Sequence, residues 1–158
     1  MVMRHMITSQ VIVSPLKTED TAAVRRLLID GLTERWGAYE PKYNPDIETF
    51  PESYSDSFVL VASREGEVVG TATLRPIGAN RAEIVRMSVA ASSRRTGIGS
   101  LILSHILRLA REQAVQEVSL ETTSSWSSAV KLYERHGFIK THEEGNDSYF
   151  RFKPGDAS

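Results

Sequence analysis

The sequence predicts an α/β (α+β) fold with a mixed, mostly antiparallel central sheet of about six to seven strands and helices on both faces. Two observations lead to this prediction. An apolar strand at 82–89 is followed by a glycine-containing turn, an apolar-periodic helix and a second strand ending at 122, a unit that implies parallel pairing. Elsewhere, alternating runs are joined by short turns, which favours hairpins. The predicted order is β-α-α-β-β-β-α-β-α-β-β.

The bulk composition fits one ordinary domain over residues 1–158, for which we expect flexible ends at 1–9 and 154–158. The formal net charge of −1 gives no basis for binding nucleic acid or a membrane surface. The chain has no cysteine, which excludes disulfides and a thiol nucleophile. Its histidines lack metal-ligand spacing, and no apolar run is long enough to span a bilayer. We therefore expect no metal and a cytoplasmic location.

The N-terminal part predicts a short strand and a long helix. The strand is Val11–Val13, and Thr18–Asp20 opens the helix with an N-cap residue followed by acids in the first turn. Apolar residues at helical spacing continue it: Ala23, Val24, Leu27, Leu28 and Leu32. Gly31 lies near the expected end of this helix and would help to stop it.

The segment from Glu34 to Pro45 mixes aromatic residues with Gly and Pro, which is typical of an ordered loop that lines a substrate cleft. Trp36 and Tyr39 are therefore candidate substrate-binding residues. The alternative is that both rings only fill the edge of the core. Asn44, as a cap before proline, predicts that a second, short helix begins here.

The middle of the chain predicts a run of antiparallel strands. Ser57–Ser63 and Glu67–Arg75 pair as a hairpin across Arg64–Gly66. A turn at Gly78–Arg81 then leads into the strand at 82–89. These elements lie next to each other in sequence, so we expect them to be neighbours in the sheet.

The second half predicts two more helices around a strand. The buried face of the first helix consists of Ile98, Ile102, Ile106, Leu109 and Ala110. A strand at Glu117–Thr122 follows, then a helix at Trp126–His136 that Gly137 ends as a left-handed cap. Phe138–Thr141 and Ser148–Phe152 form the final hairpin.

The turn at 94–100, Arg-Arg-Thr-Gly-Ile-Gly-Ser, has the composition of an anion-binding loop. Its glycines let the backbone approach a ligand, and the first N–H groups of the helix lack intrahelical partners, which suits phosphate. Two arginines at a helix N-terminus oppose its dipole unless an anion lies between them. The alternative is an ordinary turn with solvated arginines. A Walker loop is excluded, and Ile102 stands where a dinucleotide fingerprint requires glycine.

Two motifs carry a resemblance to a known family. One is Arg-x-x-Gly-x-Gly at 94–99, and the other is Ala-x-x-Leu-Tyr-x-x-x-Gly-Phe at 129–138. With the element order, they resemble the GNAT superfamily of N-acetyltransferases over nearly the whole chain. The resemblance implies transfer of an acetyl group from acetyl-CoA to a primary amine of a small molecule or peptide, by direct attack in a ternary complex.

The resemblance also implies how coenzyme A is held. Its pyrophosphate would rest on N–H groups of the loop, and its pantetheine arm would lie along the end of the 82–89 strand like an added strand. The implied cofactor-binding residues are Met87, Ser88, Val89, Arg94, Arg95, Thr96, Gly97, Gly99, Ser100, Trp126 and Ala129. Trp126 stands where many relatives have an Asn that contacts the cofactor. Ser124, Ser125 or the indole ring itself would have to replace that contact.

Two catalytic residues follow from the resemblance. Tyr133 matches the tyrosine that protonates the departing thiolate; the alternative is a core tyrosine on an amphipathic helix. Glu83 matches the glutamate that some members use as a base. Strand alternation predicts that it shares a face with Val85, Met87 and Val89, where apolar neighbours would make its carboxylate more basic. The alternatives are an ion pair with a neighbouring arginine, Arg81 or Arg86, or proton removal through water.

The prediction for the acceptor rests on acidic residues before the first hairpin. The acidic residues Asp46, Glu48 and Glu52 precede the first hairpin, where relatives form the acceptor wall. Together with Glu83 they would attract a cationic amine, and Glu48 is a candidate substrate-binding residue. The alternative is that these acids are simply solvated.

Two other functions are compatible with the sequence. One is a non-catalytic sensor that binds CoA or acyl-CoA with the same fold. The other is an acyltransferase that modifies a protein or a charged tRNA, although the basic residues form no stripe for RNA. A homodimer through sheet edges or the last hairpin is also compatible with this fold.

Overall fold

The computed structural model describes residues 10–157, which contain a seven-stranded sheet and four α-helices. The strands are β1 (Val11–Pro15), β2 (Phe58–Arg64), β3 (Glu67–Gly78), β4 (Arg81–Val89), β5 (Glu117–Thr123), β6 (Ile139–Glu144) and β7 (Asp147–Phe152). The helices are α1 (Thr21–Trp36), α2 (Pro45–Glu48), α3 (Ile98–Glu112) and α4 (Ser127–Arg135).

The sheet has the strand order β1-β2-β3-β4-β5-β7-β6. Every neighbouring pair is antiparallel except β4 and β5, which are parallel because α3 connects them as a crossover. The predicted fold class, a mixed and mostly antiparallel sheet with helices on both faces, is confirmed, and so is the parallel unit in its centre.

Two hydrophobic clusters cover the two faces of the sheet. The larger one packs α3 and α4 against the sheet and buries the apolar stripe of α3, which consists of Ile98, Ile102, Leu103, Ile106, Leu107 and Ala110. The smaller one packs α1 and α2 against the opposite face around Val24, Leu28 and Ile47. The helical periodicity of α3 therefore predicted its buried face, apart from Leu109, which is only half-buried.

A β-bulge interrupts β4 at Arg86. Thr73 pairs with Val85 and Thr71 pairs with Ser88, so one extra residue of β4 lies between these pairs, and Arg86 has a left-handed φ of 52°. The extra residue exchanges the two faces of the strand. Val85 packs in the smaller cluster, whereas Met87 packs against the larger one. The predicted alternation of Glu83 with Met87 and Val89 is therefore wrong, because it assumed an unbroken strand.

The end of α1 differs from the sequence-based expectation. Helix α1 continues past Gly31 to Trp36 and ends at Gly37, whose left-handed φ of 85° suits a C-cap. Gly31 instead lets α1 approach β4, because a Cβ there would lie 2.8 Å from the Oγ of Ser88. A short 3-10 helix covers Pro154–Ala157. The expected flexible end at 1–9, and residue 158, lie outside the described residues.

We predict that Gly70→Ala destabilises the protein by about 1–3 kcal/mol through overpacking. A Cβ at Gly70 would lie 2.6 Å from the Cδ1 of Ile102 and 3.2 Å from the Cγ2 of Ile98, both buried on α3. Urea unfolding of the variant measures this loss. Gly78→Ala, on the same strand, is the control, because its nearest atom would be 3.9 Å away. Equal midpoints and slopes for the two variants would contradict the prediction.

Candidate functional site

The candidate site is built around a wedge-shaped gap between β4 and β5. The two strands pair only from Arg81 opposite Glu117 to Glu83 opposite Ser119, although both continue beyond this point. Past Glu83, β4 is paired on its β3 side only, so its other edge presents backbone N–H and C=O groups to the gap. The gap can therefore accept an extended chain as an added strand.

The loop that follows β4 ends in unpaired backbone donors. Arg95 and Gly97 both have left-handed φ angles, of 64° and 85°, and Gly97 is the N-cap of α3. Within residues 10–157, the N–H groups of positions 95–100 find no acceptor. Successive N–H groups that point the same way at a helix N-terminus form an anion site, and a glycine N-cap leaves it open.

Contacts within the loop and with neighbouring elements hold it in place. The Thr96 hydroxyl donates to the carbonyl of Ser93, and Arg64 donates to the Ser93 hydroxyl at 2.8 Å. Behind the loop, Gly99 allows α3 to approach α4, because a Cβ there would lie 3.3 Å from the Cδ2 of Leu132. These contacts position the N–H groups before any ligand binds.

Arg94 and Arg95 have different surroundings, although the sequence pattern predicts the same role for both. The Arg94 guanidinium forms a two-pronged pair with Glu34 on α1, with Nη1 2.7 Å from Oε2. This hydrogen bond holds the pKa of Glu34 below its usual value. Arg95 is exposed and has no ion pair within residues 10–157. Arg95 therefore carries a positive charge beside the loop that no carboxylate within residues 10–157 neutralises.

A cavity of about 320 Å³ lies at the open end of the wedge. Its walls come from the last turn of α1, from the start of the loop and from the segment after β5. The lining residues are Glu34, Arg35, Trp36, Arg94, Thr123, Ser125 and Trp126. Of the residues predicted for the site, Trp36, Arg94 and Trp126 meet here.

Arg35 is a site residue that the sequence did not indicate. Its guanidinium lies 3.8 Å from the centre of the Trp126 ring and donates to the Thr123 hydroxyl at 2.6 Å. Arg35 and Thr123 are 88 positions apart, so no local pattern connects them. Their contact depends on where the end of α1 falls on the folded sheet.

Tyr133 points into the structure near the gap. Its ring packs edge-on against Phe138, with centroids 5.9 Å apart, and lies close to Phe150. Its hydroxyl lies 3.8 Å from the Sδ of Met87 on β4. Burial raises the pKa of Tyr133 to about 12, so the hydroxyl stays protonated at neutral pH and can donate a proton.

Glu83 has a different environment from the one expected. Its carboxylate accepts a hydrogen bond of 2.6 Å from Arg75, rather than from Arg81 or Arg86, so its neighbours are not all apolar. It also lines a second cavity, of about 200 Å³, between β4 and the last hairpin. Four strand positions separate Glu83 from Met87, which is roughly 13 Å along β4.

The acids expected to form an acceptor wall are mostly neutralised by arginines. Arg86 donates to both oxygens of Asp46 at 2.8 Å. Burial alone would raise the pKa of Asp46, but hydrogen bonds from Arg86 and Tyr54 hold it below its usual value. Glu48 pairs with Arg25 at 3.1 Å. The structure therefore gives no support to the hypothesis that these acids attract a cationic amine.

The other predicted site residues fall in several places. Tyr39 packs at the edge of the smaller cluster and donates to Glu48, which agrees with the alternative that it fills the core edge. The Ser88 hydroxyl faces α1 rather than the gap, and Ser100 contacts His136 at 3.1 Å. Ala129 packs against the larger cluster.

Residues 10–157 contain neither a cluster suited to a metal ion nor a helix suited to a membrane. Among residues 10–157, no three histidine or acidic side chains come together in a way that would hold a metal ion. None of the helices in the same range combines the length and apolar character required to cross a membrane.

Comparison with known proteins places this arrangement in a family context. N-acetyltransferase 8 of Mus musculus is 33% identical over 117 residues, which cover 68% of this chain and 52% of that protein. The probable N-acetyltransferase camello of Xenopus tropicalis is 34% identical over 101 residues, which cover 63% of this chain and 46% of that protein. The chain thus spans about half the length of the curated relatives that it matches.

Solved structures share the fold at low sequence identity. A GNAT-family acetyltransferase of Staphylococcus aureus Mu50 superposes with a TM-score of 0.80 at 16% identity, over 92% of this chain and 99% of that one. The PaiA N-acetyltransferase of Thermoplasma acidophilum, solved in complex with coenzyme A, gives 0.79 at 19% identity, over 91% and 99%.

The family assignment comes from the sequence pattern of the acetyltransferase (GNAT) family, which matches residues 21–138. The matched range begins with α1 and runs through the wedge, the loop and α4 to Phe138. It therefore contains β4, β5, the loop, Tyr133 and every residue that lines the cavity of about 320 Å³, whereas the last hairpin lies beyond it. The chain belongs to the acetyltransferase (GNAT) family.

Proposed function

We propose that this protein is an N-acetyltransferase that moves an acetyl group from acetyl-CoA to a primary amine of a small molecule or peptide. One observation carries the proposal. The open edge of β4, the unpaired N–H groups at 95–100 and the Tyr133 hydroxyl all border the same gap. They match the three parts of an acyl-CoA: an amide-bearing arm, a pyrophosphate and a thioester.

The comparisons support the same donor. The curated relatives are named N-acetyltransferases, and the Thermoplasma structure with the same fold contains coenzyme A. The loop also fits a pyrophosphate, because its N–H groups are unpaired within the described residues and the space beside Gly97 is open, with no other atom within 4 Å of where a Cβ would lie. Acetyl-CoA supplies the activated acyl group, and the chain supplies the binding surface and the proton transfers.

We propose direct attack of the amine on the thioester in a ternary complex. A backbone N–H near Met87 holds the carbonyl oxygen as negative charge develops on it. When the C–S bond breaks, Tyr133 gives its proton to the departing thiolate, beside the Sδ of Met87. The attacking amine loses a proton, which passes through water to Glu83, since about 13 Å is too far for direct transfer.

We place the acceptor on the Glu83 side of the sheet. The cavity beside Glu83 also presents Glu117, Ser119 and Arg151, so its charge is mixed rather than strongly acidic. With Asp46 and Glu48 paired to arginines, this side has no concentrated negative field. An acceptor with a single amine therefore fits better than a polyamine.

The test is a calorimetric titration with acetyl-CoA, CoA and NAD, followed by an acetyl-transfer assay on a panel of primary amines. We expect micromolar binding of both CoA species, none of NAD, and transfer to at least one amine, because the loop and gap suit a long arm with one pyrophosphate. No binding of acetyl-CoA would overturn the proposal. Binding without transfer to any amine would favour the CoA sensor instead.

A further inference from the structure

The last turn of α1 brings an arginine to the open end of the wedge. Arg35 crosses from α1 to the β5 side, where Thr123 accepts one of its hydrogen bonds and the Trp126 ring lies under its plane. The centre of the Trp36 ring lies 5.3 Å from the guanidinium carbon. Two aromatic rings and one hydroxyl therefore fix the guanidinium in position.

Within residues 10–157, Arg35 has no carboxylate partner, which it has in common with Arg95 of the loop. In contrast, Arg75, Arg86 and Arg94 each pair with a carboxylate. A guanidinium has five N–H donors, and Thr123 is the acceptor for only one of them. Among residues 10–157, Nε of Arg75 is the only buried side-chain donor without an acceptor, so the remaining donors of Arg35 reach the solvent-filled cavity and are available to a ligand there.

The position of Arg35 indicates which part of a ligand it meets. The cavity that it lines extends to Arg94, at the start of the phosphate-binding loop. The gap leads inward to Met87 and Tyr133, where the proposed chemistry takes place. The part of an acyl-CoA between its pyrophosphate and its thioester is the pantetheine arm, whose polar groups are two amides and a hydroxyl.

We propose that Arg35 is a positioning residue for the acyl donor, which donates hydrogen bonds to an amide carbonyl of the pantetheine arm. This inference rests on the proposed function. It assigns Trp126 the role of a platform that holds Arg35. The phosphates have their own donors in the loop, so the nucleotide end does not need Arg35.

The experiment compares Arg35→Met with Arg26→Met. Methionine keeps an unbranched chain to pack on the Trp126 ring but donates no hydrogen bond, and Arg26 is an exposed arginine on the same helix. We expect Arg35→Met to weaken acetyl-CoA binding about tenfold or more, because it removes a charge-assisted hydrogen bond. Arg26→Met should bind like the wild type.

Two fragments of the cofactor distinguish a contact with the pantetheine arm from a contact with the nucleotide. We expect Arg35→Met to bind S-acetyl-4′-phosphopantetheine weakly and adenosine 3′,5′-bisphosphate as well as the wild type does. In the transfer assay the KM for acetyl-CoA should rise while kcat changes little, since the same contact is made before and during the reaction. Arg35→Lys keeps the charge but loses the planar fork, so it should fall between wild type and Arg35→Met.

Several outcomes would overturn the inference. Unchanged acetyl-CoA binding would show that Arg35 does not touch the donor, and an equal loss for the nucleotide probe would make it a phosphate ligand. A raised KM for the amine alone would move it to the acceptor. If Arg35→Met does not fold, wild-type affinity in Arg35→Lys is evidence against the role. A wild type that binds no acetyl-CoA overturns the proposed function and this inference together, whereas the other outcomes leave the proposed function intact.

Discussion

Replacing Tyr133 with phenylalanine should lower kcat by about 10²- to 10⁴-fold while leaving acetyl-CoA binding nearly unchanged. The ring stays in its contacts with Phe138 and Phe150, so the variant should fold, and only the hydroxyl beside Met87 is lost. The departing thiolate then has no protonated group next to it. Initial rates at saturating acetyl-CoA, with calorimetry for affinity, measure both quantities.

The pH dependence gives a second readout of the same residue. Burial raises the pKa of Tyr133 to about 12, so its proton is retained through pH 10 and lost only above that range. Up to pH 10, we therefore expect no decline in the wild-type rate from loss of the Tyr133 proton. The wild type and Tyr133→Phe should have pH profiles of the same shape over this range. Tyr43→Phe changes an exposed tyrosine in the same way and should keep full activity. If the two variants have equal rates, Tyr133 is a core tyrosine and not the acid.

The second large effect is expected from Glu83→Gln, which should lower kcat/KM by about 10²-fold at neutral pH. Glutamine keeps the size of the side chain and can still accept the hydrogen bond from Arg75, but it cannot take a proton. We place the effect at the lower end of the usual range for a base because the proton reaches Glu83 through water. Steady-state kinetics with the best amine of the panel measure the loss.

A control variant distinguishes the loss of the proposed base from the loss of one negative charge. Glu67→Gln removes one negative charge at the exposed start of β3, and we expect it to leave kcat/KM unchanged. If Glu83→Gln retains wild-type turnover, the carboxylate is only the partner of Arg75, and bulk water removes the proton. A loss confined to the KM for the amine would instead assign Glu83 to acceptor binding.

Features of this protein that depend on neighbouring residues were predictable from the sequence. The apolar stripe of α3, the glycine-containing loop before it and the capping Gly137 follow from spacing and from local backbone preferences. The element order and the parallel pairing of β4 with β5 follow from short connections. These signals are local, so they survive in a single sequence without knowledge of the tertiary structure.

The rest depends on contacts between distant residues. No spacing rule joins Arg35 to Thr123 or Arg94 to Glu34, because each pair meets only when α1 lies across the sheet. The bulge has no glycine to mark it, since Arg86 itself adopts the left-handed conformation. The sequence therefore located the loop and Tyr133, but it could not show which acids were paired or which face Glu83 occupies.

The bulge at Arg86 has a consequence for how protons travel. It sends Met87 to the α3 and α4 side, where Tyr133 lies, while Val85 and Glu83 remain on the side of α1 and α2. In the proposed mechanism, the sheet then separates the group that accepts a proton, Glu83, from the group that donates one, Tyr133. The proton that leaves the amine is transferred toward one face of the sheet, and the proton that is added to the thiolate comes from the other face. One inserted residue in one strand would thus place proton removal and proton donation on opposite faces of the sheet.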